Sequence, residues 1–290
     1  MQLLFDHLSQ ITGKSLKNAQ LKPVYGGSIN QSYHLKADNN SWFIKLNVLE
    51  LESMFRAEAK GLSELATTKT INVPKVILCG NDGRHAYLIL EYIHLNAFNK
   101  NSEIQLGQQL AQLHRQQHPR YGWHLDNTIG STPQHNQWDH DWVSFWQQQR
   151  LAKQLQFLAE KGYTGKFLTQ GDTLCADVGL FFNTYSPQAS LVHGDLWSGN
   201  VAVNEDNAPV IFDPACYYAD REVDIAMTEL FAGFGCNFYR AYQNEWPLDE
   251  GYPIRKILYN LYHILNHLNL FRDGYQKQAE RMINQLLAEI

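Results

Sequence analysis

The sequence predicts an α+β fold of two lobes, a small β-rich N-terminal lobe and a larger helical C-terminal lobe. The chain has 290 residues, of which 44% are hydrophobic and 18% charged, so it can bury a sizeable core. Strand and turn patterns fill the first part of the chain, and helical patterns dominate after it. We therefore expect an N-terminal lobe over residues 1–93 and a C-terminal lobe over residues 94–290.

The N-terminal lobe begins with a predicted hairpin. Residues 32–36 and 42–46 have strand patterns, and Asp38-Asn39-Asn40 has the composition of a turn between them. A helix is predicted over residues 53–66, where apolar side chains recur at helical spacing. The lobe is therefore a sheet with one inserted helix. Its remaining predicted strands lie around residues 76–78 and 85–90.

The C-terminal lobe is predicted to be mostly helical. Ser102-Glu103-Ile104-Gln105 has the residue types of a capping box, so we expect a helix to begin there. The composition of residues 118–138 is typical of a long ordered loop, a kind of segment that often takes part in binding. Trp138, Trp142 and Trp146 recur every four residues, which predicts one buried helix face. A last helix is predicted from Ile254, Ile257, Leu258, Leu261, Leu265 and Leu268.

Composition and charge exclude several classes of function. A formal net charge of −5 provides no general attraction to nucleic acid or to an anionic membrane. The 4 cysteines include no C-x-x-C pair, so neither a disulfide framework nor a zinc knuckle is indicated. The N-terminal residues lack a basic segment, and no apolar run approaches the ~18 residues of a membrane span. We expect a cytoplasmic protein without nucleic-acid or membrane partners and, since no heptad seam is present, a monomer or weak dimer.

Three side chains that carry oxygen ligands surround a second predicted hairpin. A short apolar strand leads into His193-Gly194-Asp195, and Asn200 follows Asp195 by five positions. The two strands after Asn200 would place it beside Asp213, with one residue at each end of the hairpin. Such a pair of oxygen ligands suits Mg²⁺. The set matches the requirements of phosphoryl transfer, in which a carboxylate accepts the hydroxyl proton and an Asn and an Asp hold the metal on the nucleotide.

An upstream lysine and acid strengthen this interpretation. Lys45 ends a predicted strand and Glu58 lies on the next helix, which is the order of the strand lysine and helix glutamate that pair in kinases. The turn Gly26-Gly27-Ser28-Ile29-Asn30 precedes Lys45, and its backbone N–H groups can cover phosphates. This turn departs from the G-x-G-x-x-G pattern, so the sequence does not predict which of its backbone N–H groups contact the phosphates. The predicted ATP-binding residues here are Gly26, Gly27, Ser28, Asn30, Lys45 and Glu58.

Three longer segments resemble a known family. The chain has HGDLWSGN at residues 193–200, DPACYYADREVDIAMTELF at 213–231 and GSTPQHNQW at 130–138. These resemble the fructosamine kinase (ketosamine-3-kinase) family, and the resemblance spans nearly the whole chain. Because that family lies in the aminoglycoside-phosphotransferase-like group, the resemblance implies a protein-kinase-like fold.

The resemblance also implies an activity. Members of the family are transferases that use ATP to phosphorylate ketosamines on the sugar 3-hydroxyl, so the expected cofactors are ATP and Mg²⁺. The expected substrates are ribulosamine, erythrulosamine or fructosamine adducts, on a small-molecule amine or on a glycated protein lysine. Phosphorylation would promote deglycation, which is a protein-repair or metabolite-repair role.

The resemblance assigns roles around the second hairpin. It implies that Asp195 is the catalytic base and that Asn200 and Asp213 are metal ligands. Trp197 lies between the base and a metal ligand in the sequence, so its ring is a candidate for stacking on the sugar or shielding a cationic amine. His193 is interpreted as a structural residue that supports the loop.

The resemblance assigns the nucleotide contacts in the same way. Lys45 would anchor the phosphates, with Glu58 as its partner. Glu91 and Ile93 would form the hinge, where their backbone groups would hydrogen-bond the adenine.

The segment after the second hairpin differs from that of protein kinases. Asp213 is followed by Pro214-Ala215 instead of Phe-Gly, and a helical pattern resumes near Glu222. There is no room for a long activation loop, so we expect a constitutively competent kinase. Asp220, Glu222 and Asp224 are interpreted as a helix N-terminus or as support for the catalytic loop.

Two other functions stay open. A small-molecule kinase of the aminoglycoside or choline kinase type would share every catalytic residue and differ only in the acceptor pocket. A catalytically silent pseudokinase would lack one of Lys45, Asp195, Asn200 or Asp213, and none is missing. The identity of the ketosamine sugar, and the choice between a free amine and a protein, also stay open.

Histidine pairs spaced four apart do not indicate zinc. His114 and His118, and His263 and His267, lack the glutamate of H-E-x-x-H. We interpret these histidines as surface or packing residues.

Overall fold

The N-terminal part of the chain is built on an antiparallel sheet. The computed structural model describes residues 2–16, 18–25, 29–272 and 274–290. Within them the sheet has strands β1 (Gln20–Val24), β2 (Gln31–Ala37), β3 (Asn40–Val48), β4 (Val76–Asn81) and β5 (His85–Glu91). Their order across the sheet is β1-β2-β3-β5-β4. The hairpin predicted from residues 32–46 is confirmed, since β2 and β3 pair with Tyr33 opposite Ile44.

Two helices, α1 (Gln2–Thr12) and α2 (Glu52–Thr68), cover the two faces of this sheet. Side chains alternate between the faces along a strand. Trp42 and Ile44 of β3 therefore join the cluster that contains α1, whereas Leu88 and Leu90 of β5 join the cluster that contains α2. The predicted inserted helix is confirmed. Helix α1 and strand β1 were not predicted. Strand β1 is largely exposed, includes Pro23 and shows no alternation of buried and exposed residues.

The rest of the chain is mainly helical, which confirms the α+β fold class. Its helices are α3 (Lys100–His114), α4 (Trp142–Phe145), α5 (Ala152–Glu160), α6 (Lys166–Asp177), α7 (Glu222–Leu230), α8 (Cys236–Glu245), α9 (Tyr252–Phe271) and α10 (Gln276–Leu287). Long α9 lies in the middle of one large apolar core. In the part of the chain that the structure describes, we find no helix with both the length and the apolar character needed to span a bilayer.

Three two-stranded ribbons interrupt the helices. Their strands are β6 (Asn127–Ile129), β7 (Thr132–Gln134), β8 (Ser190–Val192), β9 (Val201–Val203), β10 (Pro209–Ile211) and β11 (Tyr217–Ala219). The ribbons are β6–β7, β9–β10 and β8–β11, and all three are antiparallel. The predicted strand before His193 and the predicted hairpin after Asn200 are thus confirmed.

Two details of the helical prediction were wrong. Helix α3 begins at Lys100 because Asn99 is its N-cap, and Asn99 Oδ1 accepts from Ser102 N at 3.1 Å. Ser102 occupies the third helical position, where its hydroxyl accepts from Asn99 N at 2.9 Å. The capping box is real, but it starts three residues before the predicted one, because Asn caps a helix as well as Ser does.

The region before α4 also differs from the prediction. Residues 118–138 are not all loop, since they contain the β6–β7 ribbon, whose strands are too short to show a period in the sequence. Trp142 and Trp146 are buried as predicted, but Trp138 lies outside the helix and stacks on His118 with ring centroids 4.2 Å apart. The helix passes through a π-helical segment at Trp146–Leu151 before α5.

Candidate active site

A cavity of about 870 Å³ holds most of the predicted site residues. Its wall combines residues of the N-terminal sheet with residues of the C-terminal ribbons and of α9. The predicted residues that line it are Asn30, Lys45, Glu58, Glu91, Ile93, Asp195, Trp197, Asn200 and Asp213. Gly26, Gly27 and Ser28 lie outside the described residues.

Lys45 connects the two parts of the molecule inside this cavity. The lysine is on β3 and only 4% exposed, and its Nζ donates to Glu58 Oε1 of α2 and to Asp213 Oδ1, each at 2.6 Å. Burial alone would lower the pKa of Lys45, but the two carboxylates outweigh burial and raise the pKa above the usual lysine range. Lys45 therefore carries a fixed positive charge between two acids that are far apart in the sequence.

The loop that carries Asp195 is held by a buried acid on α7. Asp224 accepts from the backbone N–H of His193 at 2.7 Å and of Gly194 at 2.9 Å. Gly194 has φ of 82°, and a Cβ there would collide with the carbonyl oxygen of Ala215. Only glycine fits this turn without strain. The interpretation of Asp224 as support for the catalytic loop agrees with this geometry.

His193 fixes the same loop from the other side. Its Nε2 lies 3.0 Å from the carbonyl oxygen of Phe212, and its Nδ1 lies 3.3 Å from the backbone N–H of Asp195. The first nitrogen must donate and the second must accept, which defines one neutral tautomer. Burial lowers the pKa of His193, which agrees with a neutral, structural imidazole.

Asn200 and Asp213 stand at the two ends of the β9–β10 ribbon, as predicted. The ribbon is closed at its base by a hydrogen bond of 3.1 Å from Phe212 N to Asn200 O. Asn200 Nδ2 donates to Asp195 Oδ2 at 3.1 Å and to the Asp195 carbonyl at 2.9 Å. This orientation leaves Asn200 Oδ1 available, and Asp213 Oδ2 is available because only its Oδ1 pairs with Lys45. Both residues line the cavity, so the donor set suits a hard divalent cation.

The pKa of Asp195 is set by its burial and by a second acid nearby, Asp213. Burial, together with the negative charge of Asp213, raises the pKa of Asp195 to about 7. The hydrogen bond from Asn200 lowers this pKa.

Within the described residues, no group of three or more His, Cys, Asp or Glu side chains is placed to hold a metal by itself. A cation here would therefore need further oxygen ligands, such as nucleotide phosphates.

The predicted hinge lies at the end of β5. Glu91 N donates to Lys75 O at 2.9 Å, and the Glu91 carboxylate accepts from Lys75 N at 2.8 Å. Asn30 is fixed from β3, because its Oδ1 accepts from Asn47 Nδ2 at 2.7 Å. Glu91, Ile93 and Asn30 all line the cavity.

Comparison with known proteins decides the family. The sequence model of the fructosamine kinase family matches residues 1–289. The chain belongs to the fructosamine kinase family. This family membership, together with the site described above, makes the protein an ATP-dependent kinase.

Curated members of the fructosamine kinase family align with the chain from end to end. The chain is 45% identical over 287 residues to a probable ketoamine kinase of Synechocystis sp., covering 99% of this chain and 96% of that protein. It is 39% identical over 278 residues to the chloroplastic protein-ribulosamine 3-kinase of Arabidopsis thaliana, covering 95% of this chain and 85% of that protein.

Solved structures agree with the fold of a fructosamine kinase. A crystal structure from Haemophilus somnus, provisionally named fructosamine-3-kinase, superposes with a TM-score of 0.89 at 33% identity, covering 98% of this chain and 96% of that one. Aminoglycoside phosphotransferase APH(4)-Ia, in a ternary complex with ADP and hygromycin B, superposes with a TM-score of 0.66 at 13% identity, covering 98% of each chain. The second likeness concerns the fold alone, and it confirms the predicted protein-kinase-like architecture.

The GSTPQHNQW segment forms a polar network beneath the cavity. Gln134 Nε2 donates to Asn127 Oδ1 at 2.8 Å and to Ala215 O at 3.1 Å. Asn127 Nδ2 in turn donates to Cys216 O at 2.9 Å. The segment thus holds the chain just after Asp213. The sequence did not predict this, because hydrogen bonds between distant side chains and backbone leave no periodic pattern.

A second wall of the cavity comes from α9 and was not predicted. Helix α9 contributes His263, Asn266, His267, Leu270 and Phe271 to the cavity. Trp197 lines the same space, and its ring meets Phe231 edge to face, with centroids 6.2 Å apart. His263 and His267 pack against neighbouring rings, which agrees with their interpretation as packing residues, but their position at a cavity was not predicted. The sequence feature that could have indicated this wall is the presence of polar residues on the apolar face of a long helix.

Proposed function

We propose that this protein uses ATP and Mg²⁺ to phosphorylate the sugar 3-hydroxyl of ketosamines and thereby promotes deglycation. The observation that carries the proposal is the convergence of Asp195, Asn200, Asp213 and the Lys45–Glu58 pair in one cavity of a fructosamine kinase fold. The N-terminal lobe, residues 1–93, would bind the nucleotide, and the C-terminal lobe, residues 94–290, would bind the acceptor. The ketosamine acceptor follows the names of the relatives, and the deglycation role follows from the chemistry below.

The nucleotide half of the cavity provides one contact for each part of ATP. Lys45 would bind the phosphates, and Glu58 would keep its ammonium in place. Backbone groups at Glu91 and Ile93 would hold the adenine. Asn30 and the glycine-rich turn at 26–28 would cover the phosphates.

The proposed metal site uses the free oxygens of Asn200 and Asp213. When bound, Mg²⁺ would neutralise charge that develops on the transferred phosphoryl group. The backbone hydrogen bond at the base of the ribbon holds the two residues side by side without a ligand. Mg²⁺ typically uses one or two protein carboxylates and several phosphate or water oxygens, so two protein ligands are enough.

Asp195 is the proposed catalytic base. The acceptor oxygen would form a bond to the γ-phosphorus while the bond from that phosphorus to the ADP oxygen breaks, and the hydroxyl proton would go to Asp195. The Asn200 amide holds one oxygen of this carboxylate and leaves the other available. In the product the phosphate sits on the carbon next to the C2 carbonyl. Loss of a C1 proton gives an enaminol that expels the phosphate from C3, and water hydrolyses the resulting C1 imine to release the amine.

The acceptor half of the cavity disfavours a polycationic substrate. Among the described residues of the wall, the only acids are Glu58, Glu91, Asp195 and Asp213, and each has a proposed nucleotide, metal or catalytic role. An aminoglycoside carries several ammonium groups that need carboxylate partners. The other residues of this wall include aromatic and neutral side chains such as Trp197 and Phe231, which suits one sugar and at most one cation. This feature favours a ketosamine over the aminoglycoside alternative.

The test is ADP release with Mg²⁺ and ATP against ribulosamine, erythrulosamine, fructosamine, kanamycin and choline. We expect turnover of ketosamines only, and a loss of about 10²-fold or more in Asp195→Asn. Asp206→Asn is the matched control, because Asp206 lies in the exposed turn of the β9–β10 ribbon and should leave the rate unchanged. Turnover of only kanamycin or choline would assign the protein to a sister activity. ATP binding without any turnover would identify a pseudokinase.

A further inference from the structure

Helix α2, which carries Glu58, is packed on two sides. One side packs on strand β5 of the N-terminal sheet. The other side carries Ala57 and Leu65, which belong to the large apolar core of the helical part of the chain. The backbone of Gly61 comes so close to that part that a Cβ there would lie 2.9 Å from Cys216 Sγ. The helix therefore contacts both the sheet and the segment that follows the β9–β10 ribbon.

Glu64, one turn after Gly61, adds polar contacts between α2 and the helical part of the chain. Its Oε2 accepts from Trp123 Nε1 at 2.6 Å, and its Oε1 accepts from the hydroxyl of Tyr218 at 2.9 Å. An indole N–H can only donate. Burial, together with the charge of Glu64, raises the pKa of Tyr218, so this phenol keeps the proton that it donates. Both oxygens of one carboxylate thus accept from residues that are distant along the chain.

The two donors belong to the framework of the catalytic loop. The backbones of Gly122 and Tyr218 exchange two hydrogen bonds of 2.9 Å, which fixes the chain next to Trp123 against β11. Strand β11 pairs in turn with β8, the strand that leads directly into His193. Glu64 therefore attaches α2 to the same ribbon that carries the loop of Asp195.

The chain shortly after α2 is attached to the helical part as well. Ile211 N donates to Asn72 O at 3.0 Å, and Asn72 Nδ2 donates to Pro209 O at 3.1 Å. Asn72 is thus bound to β10, the second strand of the β9–β10 ribbon. A shift of α2 that separated Glu58 from Lys45 would have to break the contacts of Glu64 or strain those of Asn72.

We propose that Glu64 is a positioning residue that keeps Glu58 against Lys45 by fixing α2 to the helical part of the chain. The inference rests on the proposed function, in which Lys45 anchors the phosphates of ATP. A kinase needs its lysine–glutamate pair in place, and movement of the helix that carries the glutamate removes it. Glu64 is not among the described residues that line the cavity, so it would act on ATP only through this pair.

The first test replaces single groups of this contact. Glu64→Gln keeps the size of the side chain but turns an acceptor oxygen into an amide that faces a donor. We expect kcat/KM for ATP to fall about tenfold, while KM for the ketosamine stays within about twofold. Tyr218→Phe removes one donor and should give part of the same loss. The matched controls are Glu50→Gln, at an exposed glutamate before α2, and Tyr163→Phe, at a half-buried tyrosine between α5 and α6.

A double-variant cycle with Glu58 separates positioning from a general structural role. If Glu64 acts through Glu58, Glu64→Gln should lower kcat/KM for ATP about tenfold in the wild type but less than twofold in Glu58→Gln, where the pair is already lost. Equal factors in the two backgrounds, or no loss in the wild type, would overturn the role of Glu64. If Glu64→Gln does not fold, Tyr218→Phe replaces it in the cycle.

Failure of this inference can be distinguished from failure of the proposed function. If the wild type turns over no ketosamine, the proposed function is overturned. The same cycle is then measured on the Kd of Mg²⁺-ATP by titration calorimetry, which needs no acceptor. A loss of affinity in Glu64→Gln that disappears in Glu58→Gln would still support the positioning role, and equal losses in both would refute it.

Discussion

Lys45 Nζ lies 2.6 Å from the carboxylate of Asp213, a residue 168 positions later in the chain. The contact joins the N-terminal sheet to the ribbon that carries the proposed metal ligands. Glu58 holds the same ammonium from α2 at 2.6 Å. One buried cation therefore connects β3, α2 and the end of the β9–β10 ribbon.

Replacement of Lys45 by a neutral residue should strongly reduce catalysis with ATP. In Lys45→Met we expect kcat/KM for ATP to fall by about 10²-fold or more, because the two acids lose their counter-ion and the phosphates lose their anchor. Lys36→Met is the control, since Lys36 is an exposed lysine on the neighbouring strand β2. Initial rates of ADP release at varied ATP provide the measurement. A decrease smaller than tenfold would contradict the assigned role.

Gly194 offers a sharper test of the catalytic loop. Gly194 and Gly83 both have φ of 82°, but a Cβ at Gly83 meets no atom within 4 Å, whereas a Cβ at Gly194 collides with Ala215 O. Gly83→Ala should cost only the backbone strain of about 1–2 kcal/mol and keep full activity. Gly194→Ala should cost more and lower kcat by about 10²-fold, because Asp195 is displaced. Urea unfolding and kcat measured on both variants would decide, and equal effects on the two would refute the argument.

The buried histidine of α9, His263, predicts a dependence of stability on pH. The pKa of His263 is about 3 in the folded protein against an ordinary value of 6.5. Below pH 6.5 the unfolded chain takes up a proton that the folded protein refuses, so stability is lost as the pH falls towards 3. The expected loss from this group is about 2 kcal/mol between pH 7 and pH 5.

His263→Asn should remove this share of the pH dependence. The free energy of unfolding in urea, measured at pH 7 and pH 5, should fall by about 2 kcal/mol less in the variant than in the wild type. His140→Asn, at an exposed position, should keep the wild-type slope. Parallel curves for His263→Asn and the wild type would show that His263 does not titrate as proposed.

The segment after Asp213 predicts an enzyme without phosphorylation control. Ala215 N donates to His193 O at 2.9 Å, and β11 then pairs with β8. The hydroxyl groups between Asp213 and α7 belong to Tyr217, which is buried, and to Tyr218, which donates to Glu64 at 2.9 Å. We expect phosphatase treatment to leave kcat unchanged, and a change of more than about twofold would disprove constitutive competence.

The sequence was informative wherever the relevant contacts are close along the chain. The hairpin that places Asn200 near Asp213 is short, and its turn residues and strands are recognisable. The pairing of Lys45 with Glu58 could be predicted because Lys45 ends a predicted strand and Glu58 lies on the next predicted helix, which is the order of the paired residues in kinases. The identity of the nucleotide-binding turn at 26–28 remains a prediction, as does the boundary at residue 93.

Features that depend on distant contacts could not be predicted. The sequence suggested Asp224 as support for the loop of Asp195, but its contacts with the backbone N–H groups of His193 and Gly194 exist only because α7 packs against that loop. The α9 wall was missed for a related reason. A hydrophobic period reports which face of a helix is buried, but it does not report whether that face meets a packed core or a cavity. His263 and Asn266 lie on that face and required the tertiary structure to be interpreted.

The hydrogen bond from Phe212 N to Asn200 O has a mechanical consequence. It keeps both proposed metal ligands on one rigid ribbon, while the lysine that neutralises Asp213 comes from the opposite lobe. The backbone spacing of Asn200 and Asp213 is set within this ribbon, so loss of the Lys45 contact would free one oxygen of Asp213 without separating the two residues.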